Sequence, residues 1–213
     1  MTTSSFPHDY EVVVDPEFPA DGVWPAPVFV YDRVGRPAAD GVAWHGIGVT
    51  VLVSLTDGTE WVATFPAGQH GADGVHAAPS PEHLCVLVGG DAHLVQVTAP
   101  GAGAPVVLEQ VEQVAASVEP PLLLLVGDLG LVALGPDGLS WRAEEWPALE
   151  NTRIRRADAK GITCAGTAWD DSDVEFVIGP VNGRLVEAPP EPPWAPPTAS
   201  GQAESRRKRW WQR

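Results

Sequence analysis

Lysine is nearly absent from this chain: Lys160 and Lys208 are the only two in 213 residues, and methionine occurs once. Two cysteines, Cys85 and Cys164, stand far apart in the sequence and give no disulfide framework of the kind that staples small secreted domains. The longest apolar run, Leu122 to Val126 and then Leu129 to Leu134, is broken by Asp128. It falls far short of the roughly 18 uncharged residues that a bilayer demands, so no membrane span is expected. The opening stretch MTTSSFPHDYE has neither a basic start nor an apolar export core, which makes the cytoplasm the expected compartment. No Gly-x-x-x-x-Gly-Lys-Ser/Thr loop and no Gly-x-Ser-x-Gly elbow occurs. Pro100-Gly-Ala-Gly-Ala-Pro105 is glycine-rich, but its flanking prolines and the lack of a following helix leave no amide dipole to cradle phosphate. It reads as a flexible connection.

What the chain does have is 22 glycines, 22 prolines, 9 tryptophans and a formal net charge of −15. A chain of this length buries roughly 70% of its unfolded surface and builds a core without metal or disulfide. The charge is uneven. All 28 acidic residues precede Arg206 with only 8 basic residues among them, so the body carries −20 and the last eight residues +5. A body that acidic repels phosphate backbones, which argues against nucleic-acid binding by the folded part and for a basic partner.

Breakers leave few stretches long enough for a helix, and short β-rich runs dominate. Gly48 to Leu55 and Glu60 to Phe65 flank Asp57-Gly58, a pair that readily takes the positive φ of a tight turn. Leu84 to Val88 and His93 to Val97 form a second hairpin, and Leu122 to Val126 with Gly130 to Leu134 a third. Ser140 to Arg142, Gly161 to Gly166, Val174 to Ile178 and Arg184 to Val186 complete the series. Val106 to Val118 is the one stretch open to either reading, and its β-branched content suits strand pairing at least as well as helix. A short helix is expected near Pro147 to Glu150.

The string Asp-Gly-x-x-Trp occurs at Asp40 to Trp44, Asp57 to Trp61 and Asp137 to Trp141, the last two 80 positions apart. Val88-Gly89 and Val126-Gly127 lie 38 apart. These spacings fall near the roughly 40 to 45 residues of a four-stranded propeller blade. The segment Leu124 to Trp141, an apolar strand ending in Gly, a second ending Ala-Leu, a Gly turn and a Trp, resembles the repeat of quinoprotein-type and WD40-like β-propellers. Leu84 to Val97 is a weaker copy without the closing Trp. The resemblance implies architecture alone; no equivalent of a quinone site is present, and no cofactor is expected. Trp44, Trp61, Trp141 and Trp169 read as struts that lay a ring across the neighbouring sheet while the indole N–H reaches a loop carbonyl.

Three constellations are candidates for chemistry. His70, His76, His83 and Cys85 lie within 16 residues, and His83 and Cys85 would project from one strand face, yet paired zinc-ligand spacing is missing. A Cys85–His93 pair across the hairpin is conceivable, although Cys85 in Leu-Cys-Val-Leu-Val suits an inert core thiol better. Asp170, Asp171, Asp173 and Glu175 form the densest carboxylate group, with Asp171, Asp173 and Glu175 alternating onto one face. They lack the glycine that lets a loop wrap calcium, and a solvated turn is the plainer reading.

The C-terminal part differs from the rest. Residues 189–205 are proline-rich and suit a stiff polyproline II linker. In residues 206–213, Arg206, Arg207, Lys208, Arg209 and Arg213 flank Trp210 and Trp211, a combination suited to an anionic surface. The expected organisation is a flexible N-terminus (1–9), an all-β, mainly antiparallel, propeller-like array of hairpins (10–188), this linker, and a disordered basic tail. The expected function is a non-catalytic module that binds a protein through its acidic surface, with self-association through an open sheet edge as a second possibility. An immunity-type inhibitor of a basic toxin or nuclease, and a hydrolase with dispersed carboxylates and histidines, are the competing readings.

Overall fold

A computed structural model of the chain describes residues 6–38, 48–127, 130–143, 149–168 and 170–189. Among them every regular element is a strand, apart from a single 3-10 turn at Pro100–Ala102. Sheet 1 contains β1 (Tyr10–Val14), β2 (Val28–Val30), β3 (Gly48–Leu55) and β4 (Glu60–Pro66) in the order β1-β3-β4-β2. Its one parallel pairing is β2 with β4. The other three sheets are plain antiparallel meanders: β5 (Gly74–Ala77), β6 (His83–Val88), β7 (Asp91–Gln96) and β8 (Val106–Leu108) in sheet 2; β9 (Val111–Ser117), β10 (Leu122–Gly127), β11 (Gly130–Gly135) and β12 (Gly138–Arg142) in sheet 3; β13 (Glu150–Asp158), β14 (Gly161–Thr167), β15 (Asp173–Ile178) and β16 (Leu185–Glu187) in sheet 4. The meanders begin at Gly74, Val111 and Glu150, 37 and 39 residues apart, which is the repeat that the sequence spacing implies.

Three cores join consecutive sheets. The first sets Val51, Val53, Trp61, Ala63 and Phe65 of sheet 1 against Val75, Leu84, Val86 and Val95 of sheet 2. In the second, Cys85, Leu87 and Leu94 of sheet 2 meet Leu123, Leu125, Val132 and Leu134 of sheet 3. The third brings Leu122, Leu124, Val126, Leu131 and Trp141 onto Ile154, Ile162, Cys164, Phe176 and Ile178 of sheet 4. Sheets 2 and 3 are therefore covered on both faces, which is why β10 and β11 are unbroken apolar runs buried at every position. β15 instead alternates, with Val174, Phe176 and Ile178 inside and Asp173 and Glu175 exposed. The outward rows of sheet 4, Arg153-Ala165-Glu175 and Arg156-Thr163-Val177-Glu187, are largely polar, as the end of a stacked array requires.

The stretch Val106 to Val118 resolves as two strands, β8 and β9. Gln110 sits between them at φ 55°, a turn conformation incompatible with a continuous helix. Of the short helix expected at Pro147 to Glu150, residues 147 and 148 lie outside the described residues, Leu149 has no regular structure, and Glu150 opens β13. The glycine-rich stretch from Pro100 to Pro105, expected as a flexible connection, is clasped instead. Tyr31 Oη donates to Pro100 O at 2.8 Å, Ala104 N donates to Gly35 O at 2.8 Å, and Ala104 is fully buried. Backbone groups drawn into a core need partners, and sheet 1 supplies them here. Ahead of β1, Phe6 is buried in the second core.

Candidate functional site

Pairing register decides the fate of the Cys85–His93 pair. Cys85 lies opposite Leu94 while His93 lies opposite Val86, so the two side chains leave opposite faces of sheet 2. Cys85 enters the second core, whereas His93 packs on Phe65 of sheet 1, with ring centroids 5.2 Å apart. Burial pushes the thiols of Cys85 and Cys164 up to about 12, far from the thiolate that nucleophilic or metal chemistry uses.

His76 stands directly across from Cys85, and His83 is two residues before it, so three of the four expected residues share one face. Their rings nonetheless turn to partners of their own. His83 Nδ1 lies 2.9 Å from Ser80 Oγ, and His76 Nε2 folds over Gly74, 2.8 Å from where a Cβ would stand. His70 is exposed in the loop before β5. Among the described residues no group of three or more His, Cys, Asp or Glu is placed to hold a metal ion. The Ser80–His83 contact belongs to a turn in which Glu82 N also donates to Ser80 Oγ and His83 N to Ser80 O, and Ser80 is only 4% exposed.

The carboxylate group at the β14–β15 connection is a hydrogen-bonded turn. Asp170 Oδ1 accepts from the backbone and hydroxyl of Ser172, which holds its carboxyl below the usual range. Asp171 adopts φ 63° in that turn, so it does not share a strand face with Asp173 and Glu175 as the alternation suggested. A local turn bond outweighs the continuation of the strand.

Two of the four expected tryptophan struts are described, and both act as struts. Trp61 Nε1 donates to Val97 O of sheet 2 at 2.8 Å, and Trp141 Nε1 to Pro180 O of sheet 4 at 2.9 Å. The ring of Trp141 lies on Gly183, where a Cβ would come within 2.4 Å of it. Trp44 and Trp169 lie outside the described residues, as do the tail residues Arg206, Arg207, Lys208, Arg209, Trp210, Trp211 and Arg213.

The struts also show which turns gather at one end of the stack. Trp61 opens β4 beside the Asp57 turn, and Val97, which accepts its bond, donates its own N–H to Glu82 O. Next to Glu82, His83 offers its carbonyl to Tyr10 Oη of sheet 1, and its ring comes 3.5 Å from the Cβ position of Gly138, the neighbour of Asp137. Glu119, in the β9–β10 turn, falls at the same end because β10 and β11 turn at the opposite one. Asp57, Glu60, Glu82, Glu119 and Asp137 therefore line one rim across sheets 1 to 3, all exposed. The corresponding turns of sheet 4 add cations, Lys160 beside Asp158 and Arg184.

This rim is the surface that reading the chain in order missed. Its signal is present, a carboxylate in four of the five connections that close at this end, but only meander topology shows that alternate turns share an end. A shallow groove of about 270 Å³ between sheets 2 and 3, lined by Val106 to Glu109 and Arg142, lies beside β8. No described helix is long and apolar enough to cross a membrane. No protein-family model matches the chain, and no curated protein matches it in sequence.

Proposed function

We propose that the chain is a partial, propeller-like array serving as a non-catalytic interaction module, which takes a basic protein segment on the rim formed by Asp57, Glu60, Glu82, Glu119 and Asp137. The observation that carries this reading is the rim itself: five exposed carboxylates from three successive sheets, four on turns without a basic residue and Glu60 at the start of β4. Residues 1–141 contain 17 acidic and 2 basic residues, so this part of the chain presents a field of one sign. A field of one sign steers an oppositely charged partner and makes its capture sensitive to salt. The cores joining sheets 1, 2 and 3 hold these turns together at one end.

The test is affinity capture from lysate at low and high salt, with the wild type and a variant combining Asp57→Asn, Glu82→Gln, Glu119→Gln and Asp137→Asn. Captured proteins rich in Lys and Arg should disappear both with added salt and with the neutralised rim. A captured set that is indifferent to both changes would overturn the reading.

A further inference from the structure

Among the described residues the molecule keeps one fully buried imidazole, His93, and it sits at the joint between sheets 1 and 2. Its ring is wedged between Phe65 of β4 and the clasped loop, where Nδ1 lies 3.2 Å from Ala104 O. A carbonyl can only accept, so Nδ1 carries the proton and Nε2 presents a bare lone pair. Nε2 is buried and has no hydrogen-bond partner. The bond at Nδ1 serves Ala104 O, whereas the unpartnered Nε2 carries a desolvation cost that the fold bears at neutral pH.

We propose that His93 is an acid-operated latch: uptake of a proton at Nε2 opens the joint between sheets 1 and 2 and frees sheet 1 together with the loop from Val97 to Pro105. Protonation would create an N–H and a positive charge where no protein acceptor lies within hydrogen-bond reach of Nε2. Burial already holds the ring's affinity for protons below that of a free histidine. The groups around it are few. Phe65 faces it from sheet 1, Val86 and Val106 flank it within sheet 2, and the bond to Ala104 O, then Asp91 on its own strand and Asp32 in the turn after β2, pull the other way. Asp91 is itself raised by burial and lies near Glu109 and Arg33. Separation relieves the cost because it exposes the ring to water, and the open form then gains up to about tenfold in population for each pH unit below about 6.5. What gives way is specific: the Ala104 N to Gly35 O and Tyr31 Oη to Pro100 O bonds tie the same loop to sheet 1.

The test is amide hydrogen exchange read by mass spectrometry on the full chain at about pH 7.5 and about pH 5.5, each normalised to its intrinsic exchange rate, in a range that spans the ordinary histidine titration. Wild type should lose protection in acid over β3, β4 and residues 97–105, while β10, β11, β14 and β15 keep theirs. His93→Gln and His93→Leu should flatten that response, and His76→Gln and His83→Gln should leave it intact. Acid loss that persists in either His93 variant overturns the proposal, as does a wild-type loss that is absent or equal in all four sheets. If neither His93 variant folds, the regional pattern of the wild type decides alone.

Discussion

The carboxamide of Gln113 closes on the backbone of Ile154 from both sides: Oε1 accepts from Ile154 N at 2.7 Å while Nε2 donates to Ile154 O at 3.4 Å. One side chain of β9 thus stands in for a strand neighbour along the inner edge of sheet 4. The clamp falls beside the register shift between Ile154 and Arg156, where an irregular β13 leaves peptide groups unpaired by β14. Sheet 3 and sheet 4 are joined here by polar pairing as well as by the third core.

Gln113→Ala should therefore cost about 1 to 2 kcal/mol, mostly from the short bond to Ile154 N. Gln113→Glu should be intermediate or no better, since a carboxylate accepts from the N–H but opposes the carbonyl. Urea denaturation of the three proteins checks the order, and equal stability of Gln113→Ala and wild type would show that solvent replaces the clamp without loss.

Gly183 lies under the ring of Trp141 at φ 67°, so Gly183→Ala meets both a clash and an unfavourable backbone region. A loss of about 2 to 4 kcal/mol is expected, well above the roughly 1 kcal/mol for Trp141→Phe, which gives up the bond to Pro180 O but keeps most of the ring. Thermal melting of both variants, with the double variant to reveal coupling, provides the measurement. Independent, additive effects would mean that the ring and the glycine do not form one contact.

Both thiols should be silent in the folded protein. Cys85 and Cys164 are fully buried and held near 12 by that burial, so a thiol reagent at about pH 8 should count none under native conditions and two in denaturant. Prompt reaction of either in the native state would reveal opening of the second or third core.

Acid should weaken the fold before the carboxylates titrate. His76, His83 and His93 are all pulled below the ordinary histidine value by burial. Above about pH 6.5 they are neutral in folded and unfolded chains alike and contribute nothing to the slope. As pH falls below that point the unfolded chain binds protons that the folded one refuses, so stability drops, by up to about 1.4 kcal/mol per pH unit for a group as buried as His93. Urea midpoints measured from about pH 7.5 down to about pH 5 should decline, and a flat profile would contradict the burial of these rings.

The interior of this fold was open to reading from the sequence, and so were the edge strands β12 and β16, while four other edges were not. The hairpins centred on Asp57-Gly58, Gly89-Gly90 and Pro136-Asp137-Gly138 stand where alternation and turn chemistry put them, because doubly buried strands are long apolar runs between glycines. The edge strands β1, β2, β5 and β13 carried no such mark. β13, Glu-Asn-Thr-Arg-Ile-Arg-Arg-Ala-Asp, reads as a polar surface stretch, since only Thr152 and Ile154 face inward and two bulges spoil the alternation. The Trp–carbonyl struts were legible in kind, although their acceptors, Val97 and Pro180, were not, since each lies in a loop just beyond a strand of the following sheet. His93 was misplaced for a related reason: a one-residue difference in register moves a side chain to the other face, and register is a property of the pair.

Three interiors in series, with no hub shared by all four layers among the described residues, give the molecule the mechanics of a short train of couplings. Each sheet borrows order only from the one before and the one after it. A pull applied at the N-terminal end should uncouple one car at a time, leaving the Trp141 junction standing after the Trp61 junction has parted, and extension under force should rise in steps and not in one rupture.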